Sequence, residues 1–233
     1  MATKAIFFDL GGTLLVMRRA KILRIILTED GREVSPESVH SAYAKLDSWW
    51  LSKYGNRALS PEATTESYVD MRSKAFSELF PLEGPSEVQR LSELAQRRWP
   101  DLEKSVPLEL YPDTEPLLRK LTRDGYSLAL ISNAPPDTAQ VVEALGLTRY
   151  PSPVVISGVV GFSKPHPEIF RIALRQANVS PNQTVHVGDL YEADVIGARS
   201  AGITGVLIDR EGIGTRYDCP RIKGLDEVYK FIR

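Results

Sequence analysis

Beyond Pro107 the chain alternates between short apolar runs and stretches of helical periodicity, and this alternation limits the fold more than any other feature. Helix is expected over about Thr114 to Arg123, closed by Gly125, followed by a strand over Ser127 to Ile131. A second helix around Thr138 to Leu145 stops at Gly146; Val154 to Ile156 is the next strand and Glu168 to Ala177 the next helix. Thr184 to Val187 reads as strand, Glu192 to Ala201 as helix closed by Gly202, and Val206 to Ile208 as strand. These strands are near-continuous apolar runs, so both of their faces are buried. An α/β fold follows, a parallel sheet with helices on both faces. Ligands of such sheets bind beyond the carboxyl ends of the strands, which directs attention to the residues after each strand.

One strand precedes the series. Ala5 to Asp9 is a short apolar run followed by Gly11-Gly12, a buried strand and a tight turn. Lys4 before it gives the segment a passing likeness to a signal sequence. Asp9 and the glycines interrupt any apolar helix, however, and no small-residue cleavage site follows. From Val16 to Val106 the period becomes helical: Ile22, Ile25 and Ile26, then Val39, Tyr43, Leu46 and Trp50, recur at spacings of three and four. Ser35-Pro36 and Ser60-Pro61 each place a capping hydroxyl before a proline at the first helical position, and Pro81 to Pro85 separates two helices. The expected organisation is a core of residues 1–15 and 107–233 with a small all-helical insert at 16–106. Trp49, Trp50 and Tyr54 read as the core of that insert.

Composition narrows the class of partner. Hydrophobic residues make up 42% of the 233, enough for a sizeable core, and the net charge of −1 offers no basic stripe for nucleic acid or an anionic membrane. No apolar stretch approaches a membrane span. Cys219 is the single cysteine, so no intrachain disulfide forms, and a cytoplasmic setting is expected.

The strand ends carry Asp9-Leu10-Gly11-Gly12-Thr13, then Ser132-Asn133, then Lys164, then Asp189 with Asp194 five residues on. One carboxylate nucleophile, a hydroxyl with amides, a cation and a second acidic cluster suit phosphoryl transfer, where charge on the equatorial oxygens must be neutralised. The four segments resemble, in order, the four motifs of the haloacid dehalogenase-like superfamily: Phe7-Phe8-Asp9 with Gly12-Thr13-Leu14, Leu130 to Asn133, Gly161 to Pro165, and Val187-Gly188-Asp189 through Asp194. Tyr111-Pro112-Asp113 resembles the family's return into the core, and the helical insert its cap. The resemblance implies a Rossmann-like core and a cap inserted after the first strand. It further implies Asp9 as the nucleophile that forms an aspartyl-phosphate. Lys164 is then the fixed cation beside Asp9, and Ser132, Asn133 and Leu10 the phosphate-binding residues. Asp9, the Gly11 carbonyl, Asp189 and Asp194 make up the Mg²⁺ site. The expected partner is a small phosphorylated metabolite. His166 and His186 lie beside motifs but fill no family role; packing or surface exposure accounts for them.

One position departs from the pattern. Family phosphatases carry an Asp two residues after the nucleophile as general acid–base, and this chain has Gly11. Glycine still offers its carbonyl, so metal binding is spared while proton transfer is lost, a loss of about 10²- to 10⁴-fold. Glu192 is the nearest other acid by motif. Three functions fit: a phosphatase weakened on poor leaving groups; a dehalogenase or phosphonate hydrolase; and a non-catalytic phosphate-binding protein of the same fold. Halide expulsion needs no acid, although dehalogenases usually lack the acidic pair Asp189 and Asp194. The phosphonate reading calls for a lysine from the insert, and Lys21, Lys45, Lys53 and Lys74 sit in no matching context.

Overall fold

The computed structural model describes residues 2–54, 73–210, 212 and 217–232. These residues group into two compact units, one of residues 2–16 and 110–232 and the other of residues 17–54 and 73–109.

The first unit is built on a six-stranded sheet: β1 (Ala5–Phe8), β2 (Ser127–Ser132), β3 (Val154–Ile156), β4 (Thr184–Gly188), β5 (Thr204–Ile208) and β6 (Arg221–Ile222). Every pairing is parallel, in the order β3-β2-β1-β4-β5-β6. β1 is wholly buried, as its unbroken apolar sequence requires, and pairs through Phe8 with Leu130 on one side and Val187 on the other. The strand order reverses at β1, the switch point beyond which such sheets take their ligands. On one face Phe7, Ala129, Ile131 and Val155 pack against Ile169, Phe170 and Ala173 of the helix Pro167–Ala177. Each of the expected strands forms, β2 and β4 one residue longer than expected, β5 two longer and β1 one shorter; β6 is an addition to the expected set.

The helix expected at Glu192 opens differently. Residues Tyr191–Ile196 form a π-turn before regular helix at Gly197–Ser200. Such widened turns cluster at functional sites. Here Asp194 turns back under the strand end, its Oδ2 accepting the Leu190 N–H at 3.1 Å. A Cβ on Gly188 would lie 2.1 Å from the Asp194 carboxyl carbon, so glycine at that position is what admits the carboxylate.

The second unit is helical among its described residues and includes the helices Arg18–Glu29, Pro36–Tyr54 and Pro85–Ser105. Ile22, Leu23, Ile26 and Leu27 meet Val39, Tyr43, Leu46, Phe76 and Leu91 in its core, with Trp49 packed against them. The Ser35 hydroxyl accepts the Ser38 N–H at the start of the second of these helices, the cap expected of Ser35-Pro36. The Ser60-Pro61 signal lies outside the described residues, as do the side chains of Trp50, Lys53 and Tyr54. Among the described residues no helix is long and apolar enough to cross a membrane.

Candidate active site

The strand ends of the first unit bring four distant segments together. Lys164 is almost fully buried, and its Nζ donates to Asp9 Oδ1 and to Asp194 Oδ1, each at 2.6 Å. Carboxylate oxygens of Asp9, Asp189 and Asp194 all lie within 4.8 Å of one another. Ser132, at the end of β2, is buried beside this group's strand. The turn after β1 is tied at its base, with the Leu14 and Leu15 amides both bonded to the Leu10 carbonyl and the Asp9 N–H to Val187 O.

Glycine shapes that turn in two different ways. Gly12 has φ +80°, and a Cβ there would stand 2.1 Å from Asp189 Oδ2, so the carboxylate occupies the space a side chain would fill. At Gly11 no heavy atom lies within 4 Å of the Cβ position and the backbone is unstrained. A side chain beginning at position 11 would therefore enter open space.

The charges are strongly perturbed. Burial, opposed by Lys164 and reinforced by Asp194, pushes the Asp9 carboxyl up to about 6. Burial would raise Asp194 as well, but Lys164 and His186 hold it well below the usual carboxylate range. For Lys164 burial works against the charge, and the Asp194 and Asp9 carboxylates together hold the ammonium above its ordinary value. Three carboxylates and one ammonium leave two negative charges, the deficit that one divalent cation offsets. Hard oxygen donors of this kind suit Mg²⁺.

One residue that the motifs left aside belongs to this cluster, and one from within a motif braces it. His186 is completely buried, and its Nε2 lies 2.9 Å from Asp194 Oδ1. Burial lowers its pKa, so the ring is neutral; with an ionised carboxylate as partner, Nε2 carries the proton and donates. Asp194 Oδ1 is thus fixed by both Lys164 and His186, and Oδ2 by the Leu190 amide. The sequence signal was a histidine in an otherwise apolar strand, which packing explains equally well. The Asn133 side chain accepts the Lys164 N–H at 2.7 Å and donates to the Lys164 carbonyl at 2.8 Å. It holds the lysine's backbone, leaving only its own main chain for an oxyanion.

The remaining candidates lie elsewhere. His166 caps the helix Pro167–Ala177, Nδ1 accepting the Glu168 N–H, and Glu192 is exposed. In the helical unit Lys21 pairs with Glu109, and Lys45 and Lys74 both with Glu78.

Residues 3–202 match the profile of the haloacid dehalogenase-like hydrolases. A phosphoserine phosphatase from Thermus thermophilus is 31% identical, the match covering 97% of this chain and 98% of that one. A glyceraldehyde 3-phosphate phosphatase from Methanothermobacter thermautotrophicus is 35% identical over 53% of this chain and 55% of its own. Among solved structures, an HAD phosphatase from Thermococcus onnurineus is similar over 98% of this chain and 97% of that one, with 29% identity and a TM-score of 0.60.

Proposed function

This chain belongs to the haloacid dehalogenase-like hydrolases, and on that premise we propose that it is a Mg²⁺-dependent phosphatase, acting on a small phosphorylated metabolite through an aspartyl-phosphate on Asp9. The observation that carries the reading is the bond from Lys164 to Asp9 Oδ1, with the Asp189 and Asp194 carboxylates converging on the same point. Lys164 engages one oxygen of the nucleophile, so Oδ2 is the one that attacks. The Oδ2–phosphorus bond forms as the bond from phosphorus to the leaving oxygen breaks, and the departing alkoxide takes a proton from solvent. Water then attacks phosphorus, inorganic phosphate leaves, and the Asp9 carboxylate is regenerated. Ser132 with the Leu10 and Asn133 main chains binds the phosphoryl oxygens, and Lys164 offsets their charge.

The donor set fits Mg²⁺: Asp9, Asp189 and the Gly11 carbonyl would hold it, with Asp194 behind them as a water-mediated partner. When bound, Mg²⁺ supplies the positive charge that lessens repulsion between the anionic nucleophile and its anionic substrate. The phosphatases of phosphoserine and glyceraldehyde 3-phosphate among the relatives support a small phosphomonoester as substrate. A cytoplasmic setting accords with such a metabolite.

Gly11 sets the leaving-group preference. Without a built-in acid, esters of acidic alcohols and phenols are cleaved fastest. The test is a panel containing an activated aryl phosphate, phosphoserine and glyceraldehyde 3-phosphate, run with Mg²⁺ and with a chelator. Turnover of at least the aryl phosphate that needs Mg²⁺ and vanishes in Asp9→Asn is expected. Equal turnover by that variant would remove Asp9 from the reaction.

A further inference from the structure

Two residues beyond β5, Arg210 makes more polar contacts to other segments of the first unit than its place in the sequence suggests. Its guanidinium forks onto Asp113, Nη1 to Oδ2 and Nη2 to Oδ1, both at 3.0 Å. Nη2 also donates to the Thr13 carbonyl at 2.7 Å, and the guanidinium carbon lies 3.7 Å from the centre of the Tyr111 ring. Only 13% of the side chain is exposed. Asp113 is itself fixed, its Oδ2 accepting the Leu225 N–H at 2.9 Å. The carboxylate is thus a bracket, and Arg210 is the arm that reaches from it to Thr13.

Thr13 ends the turn that begins at the nucleophile. Its own hydroxyl is fully buried and makes no hydrogen bond among the described residues, so the carbonyl contact is the polar anchor of this residue. Immediately before it is Gly12, where the Asp189 carboxylate fills the space a side chain would take. Immediately before that is Gly11, whose carbonyl faces the acidic cluster in the reading above. A peptide that swings when Thr13 is released carries Gly12 into Asp189 and turns the Gly11 carbonyl with it.

We propose that Arg210 is a positioning residue for the metal site: by holding the Thr13 carbonyl it fixes the 11–13 backbone and, through Gly12, the carboxylate of Asp189. This rests on the Mg²⁺ reading, but it concerns a residue that contacts none of the metal donors. The role needs a planar fork with an extra N–H for the carbonyl, which lysine lacks.

The experiment compares wild type, Arg210→Lys and Asp113→Asn in two measurements. One is the rise in melting temperature on adding Mg²⁺ to chelator-treated protein; the other is the half-saturating Mg²⁺ concentration and KM for an aryl phosphate. Arg210→Lys is expected to raise the half-saturating Mg²⁺ about tenfold, the low end for groups that orient metal ligands. It should shrink the Mg²⁺-induced melting shift and leave KM for the ester within about twofold. Asp113→Asn, which keeps part of the bracket, should move both in the same direction by less, and it decides the matter if the Arg210 variant does not fold. A lower melting temperature in chelator with an unchanged Mg²⁺ response would mean that Arg210 only stabilises the fold, and would overturn the proposal. So would full rescue by lysine. The melting measurement needs no turnover, so a protein that binds Mg²⁺ but hydrolyses nothing fails the phosphatase reading and still decides the role of Arg210.

Discussion

Each unit of this chain contains a charge cluster, and the two differ in almost every respect that governs what a charge cluster can do. In the helical unit Asp30, Arg32, Glu83, Glu87 and Arg90 form a lattice of ion pairs, with Arg32 reaching Asp30, Glu83 and Glu87 and Arg90 reaching Asp30 and Glu87. These side chains are 13–47% exposed. Three carboxylates face two guanidiniums there, and water screens the one charge that remains. In the sheet unit Asp9, Lys164, Asp194 and His186 lie at 10% exposure or less, and with Asp189 beside them three carboxylates face a single ammonium. Burying an excess of like charge is costly unless another charge arrives. The helical lattice leaves one screened charge; the buried cluster leaves two, which a divalent cation would offset.

The largest effect that separates the two comes from Lys164→Met. Removing the ammonium leaves the Asp9 and Asp194 carboxylates buried with their shared partner gone, a loss of about 3–5 kcal/mol of stability. Chemical denaturation with and without Mg²⁺ measures it, and the loss should be smaller with Mg²⁺ present. An equal loss under both conditions would mean that the cluster takes no cation. Turnover of an aryl phosphate by the same variant should fall by at least about 10²-fold, the effect of losing one fixed donor to the transition state.

Next comes Gly11→Asp, which adds a carboxylate to the buried side of the comparison. The space is open, so the chain should fold. On alkyl phosphates kcat should rise by about 10- to 100-fold, while an aryl phosphate should change by less than about threefold, because only poor leaving groups need a proton. A uniform change along a leaving-group series would assign the effect to something other than proton transfer. The smallest effect is expected from Arg90→Met in the exposed lattice: a melting temperature within about 2 °C of wild type in physiological salt, and unchanged turnover. A drop comparable to that of Lys164→Met would erase the distinction between the two clusters.

The fold and the main actors were legible in the sequence because they sit where the pattern changes. Asp9, Ser132 and Asp189 each end an apolar run, and Asp194 follows at a fixed distance, so position along a strand was enough to nominate them. Lys164 was legible through its neighbours Gly161 and Pro165 rather than through any strand. What escaped were residues whose partners come from other segments. His186 sits mid-strand, where any side chain able to pack would do, and only the return of Asp194 through the π-turn gives it a role. Arg210 looks like a charge after a strand; Thr13 and Asp113 are 197 and 97 residues away from it in sequence. The π-turn itself left no periodic signature, since the residues of Tyr191–Ile196 satisfy an ordinary helical pattern equally well.

The two neighbouring glycines after Asp9 differ in what a single mutation can do at each. Any glycine codon ending in a pyrimidine becomes an aspartate codon by a single base change. At position 12 that mutation drives a carboxylate into Asp189 and is closed to selection; at position 11 it meets vacant space. Where the Gly11 codon ends in a pyrimidine, one nucleotide change places a carboxylate at that position without a clash at its Cβ.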